Sequence, residues 1–378
     1  MGTVNVLGID TSCDDTAVAV VADGRHIRSS VVLSQQSLHA EHGGVVPEVA
    51  SRRHLEAIRP AVTRALDEAG ARLEDIGLVA ATVGPGLAGS LMVGYNLGRA
   101  LALGRGLPFA PVNHMEGHIY STWLIPPSVK QAAHSGSAGV PPVSAPATAE
   151  TGRTPALPDT APIGEPPQPA LPLLVLIVSG GHTELVLMSE HGVYQRLGGT
   201  LDDAAGEAFD KVGRLLGLPY PGGPSVQRAA AALPAGTAPA ALPRAWLRGT
   251  YDFSFSGLKT AVLHLTRDAG ERLDERRVDA IAAGFQDSVA DVLARKTAAA
   301  AAEYDVRGVA LCGGVAANSA VRERLRAALP AGLPLHVPPP ALCTDNGAMI
   351  AAAGYYRRGE AVPPAASGQI QPNLALPV

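Results

Sequence analysis

Residues 4–20 read VNVLGIDTSCDDTAVAV, and residues 173–188 read LLVLIVSGGHTELVLM. Each stretch is an apolar run, a short polar turn and a second apolar run, which is the pattern of a β-hairpin in a buried sheet. The first turn carries hydroxyls and carboxylates, and the second carries a glycine pair. The second unit mirrors the first, one in each half of the chain.

Working outward from the first hairpin, residues 48–69 space their apolar positions three and four apart, which predicts an amphipathic helix. A buried strand (DIGLVAATV), the glycine-rich turn GPGLAGS and a helix rich in small residues follow, with a further strand in LPFAPV. Beyond the second hairpin the pattern predicts a helix near 204–216, a glycine–proline turn in LPYPGGPSV and a long helix over 275–302. Then come a strand in VRGVALC, a glycine turn and a helix; the last unit, CTDNGAMIAAAGYYRRG, reads as a helix capped by Thr344 or Asp345. Alternating strands and helices predict an α/β architecture with mixed sheets. Glycine turns after buried strands in different halves suggest a ligand held in a cleft between two related domains.

The chain of 378 residues is too long for one ordinary core and fits two domains. Residues 127–170 interrupt the pattern, holding ten prolines and no aromatic residue, and are expected to be a disordered or extended insert. Aromatics make up only 4% of the chain, which argues against an RNA-binding face of stacked rings. The net charge of −4 supplies no global field toward nucleic acid or anionic lipid, so any RNA contact must come from a local patch. Two clusters offer one: Arg52, Arg53, Arg59 and Arg64, and Arg322, Arg324 and Arg326. Their ordinary role is a solvated helix face. Three scattered cysteines and no apolar run long enough to span a bilayer lead to the expectation of an unprocessed cytoplasmic protein with no membrane partner.

His114 and His118 lie four apart in NHMEGH, a spacing that puts two imidazoles on one helix face for one metal. Eleven histidines placed at random give roughly 0.3 such pairs, so the spacing alone is weak, and Gly117 between them weakens the helix. A complete site needs a third ligand, for which Asp10, Asp14, Asp15, Asp210 and Asp345 are candidates. Helix capping is the competing role for Asp345, and turn chemistry for Asp14 and Asp15. Gly180–Gly181 and Gly313–Gly314 each follow a buried strand, where main-chain N–H groups can approach an anion; the alternative is a tight turn needing positive φ. Neither pair fits a P-loop or a full dinucleotide fingerprint.

Taken in order, GIDTSCDDT, GGVVPEVASRRH, GPGLAGSLMVG, NHMEGH, VSGGHTEL, DDAAGEAFDKVGRLLGLPYPGGP, DFSFSGLKT, CGGVAAN and CTDNGAMIA resemble the bacterial TsaD-type tRNA adenosine threonylcarbamoyltransferases, once described as O-sialoglycoprotein endopeptidases. The resemblance covers nearly all of the chain outside the insert. It implies a two-domain actin-like, Hsp70-like fold, with residues 1–120 and about 345–378 in the first domain and 171–344 in the second. It implies an iron or other divalent metal, zinc included, on His114, His118 and Asp345. Substrate contacts are implied at Ile177, Val178, Ser179, Gly180 and Gly181, and further at Asp210, Gly223 and Asn318. The implied reaction moves the threonylcarbamoyl group from threonylcarbamoyl-AMP to the exocyclic amine of the adenosine beside the tRNA anticodon, releasing AMP. A turn carboxylate, Asp14, is expected to take the amine proton. Implied partners are tRNA, a paralogous scaffold subunit and a small ATPase. One departure stands out: the family often has CDET in the first turn, and here Asp15 replaces the glutamate.

Two other classes are open to such a chain. A sugar-kinase or acetate-kinase type phosphotransferase shares the fold and the glycine turns but lacks the paired histidines. A non-catalytic scaffold paralogue would have lost the metal and phosphate motifs, which this chain keeps.

Overall fold

The structure is a computed structural model and describes residues 2–41, 43–127, 168–267 and 273–377. The expected insert lies almost wholly outside the described residues. Among the described residues, ten strands form two five-stranded mixed sheets. The first holds β1 (Asn5–Asp10), β2 (Asp15–Ala22), β3 (His26–Ser34), β4 (Leu78–Gly84) and β5 (Phe109–Asn113) in the order β3-β2-β1-β4-β5. The second holds β6 (Leu173–Val178), β7 (Thr183–Glu190), β8 (Val193–Gly199), β9 (Gly308–Cys312) and β10 (Leu335–His336) in the order β10-β9-β6-β7-β8. In both, a central strand pairs antiparallel with the next strand and parallel with a later one. The two halves therefore repeat one topology, read in the same order from the edge strand of the hairpin.

The helices are α1 (Gln36–Ala40), α2 (Pro47–Ala69), α3 (Ala88–Arg105), α4 (His114–Tyr120), α5 (Ala205–Leu215), α6 (Gly222–Ala232), α7 (Ser256–Arg267), α8 (Glu275–Glu303), α9 (Ser319–Ala328) and α10 (Gly347–Tyr356). Helix α2 buries Ala50, His54, Ile58, Ala61, Val62 and Ala65 on one face, at the three-and-four spacing of its sequence. Helix α10 is apolar almost all round and correspondingly buried from Gly347 to Gly354. It lies with α4 in a core that draws Val6, Ala19 and Ala80 from the first sheet and Val175, Ile177 and Ala310 from the second, so the sheets are joined by packed apolar side chains rather than by a linker. No described helix is long and apolar enough to cross a membrane.

Three expectations of local structure change. Asn346, not Thr344 or Asp345, caps α10: its Oδ1 accepts from Met349 N at 2.9 Å. Gly222 and Gly223 open α6 instead of ending in a turn. Gly117 does not break α4, because a Cβ there would meet Ile350 Cδ1 at 2.8 Å; the residue is glycine so that α10 can pack against it.

Candidate functional site

Strand β5 ends at Asn113, whose side chain accepts from Met115 N at 2.8 Å and starts α4. That cap fixes the first turn, so His114 and His118 emerge on one face with ring centroids 4.7 Å apart. Asp345 comes from the other end of the chain. Its Oδ1 lies 3.4 Å from His114 Nε2 and 3.3 Å from His118 Nε2. One ligand atom from each of the three lies within 4.8 Å of the others, which is the compactness a single divalent ion needs. Because Asn346 does the capping, the Asp345 carboxylate is released for this site.

Asp10, at the end of β1, stands behind the histidines. Its Oδ2 lies 3.4 Å from His114 Nδ1, while Oδ1 accepts from Thr82 Oγ1 at 2.7 Å and Ser12 N at 3.2 Å. A carboxylate facing the outer nitrogen of a ligand histidine fixes its ring and leaves Nε2 to the metal, so Asp10 fits a supporting role rather than a ligand role. Burial alone would lower the His114 pKa, but the carboxylates of Asp345 and Asp10 outweigh it and raise it well above the ordinary histidine value. Burial would likewise raise Asp345, but the two imidazoles hold it well below the carboxylate range. The donor set of two imidazoles and one anionic oxygen fits iron or zinc.

The turn between β1 and β2 faces the same space. Asp15 is pushed up to about 7, first by burial and then by Asp345, Asp14 and Asp10, against a hydrogen bond from Ser34. From the opposite lobe, partial burial and then Asp210, Asp14, Cys13 and Asp15 push the Tyr220 hydroxyl up to about 12. Burial, then Asp14 and Asp345, raises the Cys13 thiol far above its ordinary value, so it is no nucleophile.

The second lobe contributes main chain. Ser179 N donates to His182 O at 2.8 Å and His182 N donates to Ser179 Oγ at 3.1 Å, closing the β6–β7 turn around Gly180 and Gly181. Neither glycine has positive φ, so the tight-turn explanation fails for this pair; a Cβ on either would point into open space. Gly223 and Gly314 are open in the same way. Gly313 is different: its φ is +89° and a Cβ would meet Val178 O at 2.4 Å, so conformation and packing account for it. Ile177 and Val178 are fully buried in β6, where they pair with Glu184 and Thr183 of β7, so the structure leaves neither exposed to a ligand. Asp210 Oδ1 accepts from Gly222 N at 2.7 Å and holds the start of α6. Asn318 caps α9, accepting from Val321 N at 3.1 Å, and donates to Gln286 Oε1 at 2.8 Å.

The fold therefore gathers His114, His118 and Asp345 at one site. His182 has no place in the sequence-based expectations. Its pKa is pushed down to about 4 by burial and by the charges of His114 and His118. Its position directly after a glycine pair at a buried strand end is the signal that could find it. In the second arginine cluster Arg322 donates to Pro338 O and to Ala316 O, Arg324 pairs with Asp287 and Asp291, and Arg326 is exposed. Arg52 and Arg53 stay exposed on α2, each 2.7 Å from a glutamate, Glu48 and Glu56.

The family model described as tRNA N6-adenosine threonylcarbamoyltransferase matches residues 26–136 and 160–352. A protein of that name from Symbiobacterium thermophilum is 50% identical over 352 residues, covering 93% of this chain and 91% of the relative. One from Bacillus subtilis is 45% identical over 374 residues, covering 98% and 95%. Among solved structures, HypF from T. kodakarensis superposes with a TM-score of 0.55 at 14% identity, over 94% of this chain and 48% of that one, a likeness of fold alone. The architecture is the two-domain actin-like one, with one sheet topology repeated in the two halves. The chain belongs to the tRNA N6-adenosine threonylcarbamoyltransferase family.

Proposed function

We propose that this protein transfers the threonylcarbamoyl group of threonylcarbamoyl-AMP to the exocyclic amine of the adenosine beside the anticodon of tRNA. The amine nitrogen bonds to the carbamoyl carbon, the bond from that carbon to the phosphate oxygen breaks, AMP leaves, and the amine proton passes to a carboxylate. Membership of the family supports the reaction class. The observation that carries the site assignment is the trio His114, His118 and Asp345, with ligand atoms within 4.8 Å.

His114, His118 and Asp345 would hold a divalent ion, iron or zinc, which would supply Lewis acidity toward the carbamoyl oxygen. Asp10 keeps the His114 ring oriented from behind. The open main chain of Gly180, Gly181 and Gly314 suits the phosphate of the adenylate, and Gly223 its nucleoside. Asp14, in the turn between β1 and β2, accepts the amine proton. Asn318 holds the α9 end of the cleft through its cap.

Partners follow from the family: tRNA, a paralogous scaffold subunit and a small ATPase, acting in the cytoplasm. The test is nucleoside analysis of tRNA after incubation with threonylcarbamoyl-AMP, the purified chain and those two proteins. Threonylcarbamoyladenosine that appears only with this chain supports the assignment. Equal product without it, or none with every component present, overturns it.

A further inference from the structure

The carboxylates of the first turn sit on a loop, and a loop holds catalytic geometry only if its main chain is tied down. Three successive carbonyls of this turn are tied, each to a different element. Ser12 O accepts from Leu87 N at 2.8 Å, Cys13 O from His54 Nε2 at 3.0 Å, and Asp14 O from Gln35 N at 3.2 Å. Only the middle tether is a side chain. His54 lies on the buried face of α2 with no exposed surface.

The chemistry of the partners fixes its tautomer. A carbonyl can only accept, so Nε2 carries the proton. Nδ1 then has a lone pair, and it accepts from the Thr16 hydroxyl at 2.7 Å. Burial lowers the His54 pKa, outweighing the Cys13 carbonyl and the nearby Asp10 and Asp14, and the ring is neutral. One imidazole thus grips the residue before the Asp14–Asp15 pair and the residue after it.

We propose that His54 is a positioning residue for the transfer reaction, clipping Cys13 and Thr16 so that Asp14 and Asp15 are held against the cleft. This inference rests on the transfer reading for its kinetic readout but not for its structural one. His54 touches no substrate in this geometry; it acts through the turn. Misplacing a catalytic carboxylate by a fraction of an ångström lowers turnover while leaving the metal ligands and the glycine turns intact.

Two replacements separate the clip from general packing. In His54→Gln the side-chain amide nitrogen reaches the place of Nε2 and can donate to Cys13 O. In His54→Asn the amide reaches only the place of Nδ1, so Thr16 keeps a partner and Cys13 loses one. We expect His54→Asn to lower kcat on the order of 10²-fold, with KM for threonylcarbamoyl-AMP and bound metal within about twofold of wild type. His54→Gln should recover most of the loss. Wild-type kcat in His54→Asn, or equal loss in both variants, overturns the proposal. If neither variant folds, nitrogen-15 NMR of the wild-type imidazoles decides: a neutral Nε2–H ring at neutral pH supports the clip, and an Nδ1–H or doubly protonated ring rejects it. Absence of transfer by the wild type would overturn the reaction reading, and the NMR result would still judge His54.

Discussion

His118 Nε2 lies 3.3 Å from Asp345 Oδ1, although the two are 227 positions apart in sequence. The contact exists because α10 packs against α4 and because Asn346, one residue further on, takes the capping duty. Ligand and cap are adjacent residues with separate jobs, and they can be tested separately.

Asp345→Ala should abolish bound metal and transfer together while leaving α10 intact. Asn346→Ala should instead cost about 1 kcal/mol or more in stability, since it removes the cap of a buried helix. Metal analysis and thermal unfolding of both variants check this. Retained metal in Asp345→Ala would contradict the ligand assignment.

How much of this is legible in the sequence differs by element. The hairpins around residues 10–15 and 178–183 are readable because their apolar runs are long and their turns polar. Strands β3 and β8 are not, since each is a sheet edge whose polar residues, such as Ser29, Ser30 and Arg196, read as loop. Ser29 is buried in β3 and is compensated by a bond to Ala65 O at 2.6 Å, a contact made only by the fold. The paired histidines can be seen as a helix face, but five carboxylates compete as the third ligand. Only the approach of α10 to α4 selects Asp345 and puts Asp10 behind. Likewise, nothing in the spacing of Arg322 and Arg324 reveals that internal acceptors occupy them.

The glycines of the second lobe divide into two kinds. Gly313→Ala should lose roughly 1–3 kcal/mol, because φ is +89° and Val178 O would sit 2.4 Å from the new Cβ. Gly180→Ala meets no atom and should change stability by less than about 0.5 kcal/mol. It should weaken AMP binding about tenfold, because the methyl fills the space assigned to phosphate. Unfolding curves and AMP titrations of the two proteins test the distinction.

Asp15 gives a pH dependence of known sign. In the folded protein it binds its proton up to about pH 7, whereas an unfolded aspartate releases it near pH 3.9. The folded state therefore holds the extra proton across that window, and this contribution to stability is lost as pH rises from about 4 to about 7. Asp15→Asn should flatten the decline and be the more stable protein above pH 7, by an amount on the order of 1–4 kcal/mol. Urea unfolding at several pH values measures it, and parallel curves for the two proteins would contradict it.

Exposed Arg52 and Arg53 are the arginines of α2 that lie within the family motif at 43–54, each held by a glutamate. Replacing both with alanine should reduce the salt dependence of tRNA binding by up to about two units of slope. Glu48→Gln with Glu56→Gln should strengthen binding at low salt. An unchanged slope would move the RNA-binding face to another surface or to the partner proteins.

The central claim is that threonylcarbamoyl transfer depends on an ion held by His114, His118 and Asp345. The most direct measurement strips metal from the wild-type chain, restores it in stoichiometric steps, and follows threonylcarbamoyladenosine in tRNA with the partner proteins present. Activity should rise linearly to one ion per chain and stop there, with no recovery in His118→Ala. Full transfer by the stripped protein, or recovery in the variant equal to wild type, would contradict the account.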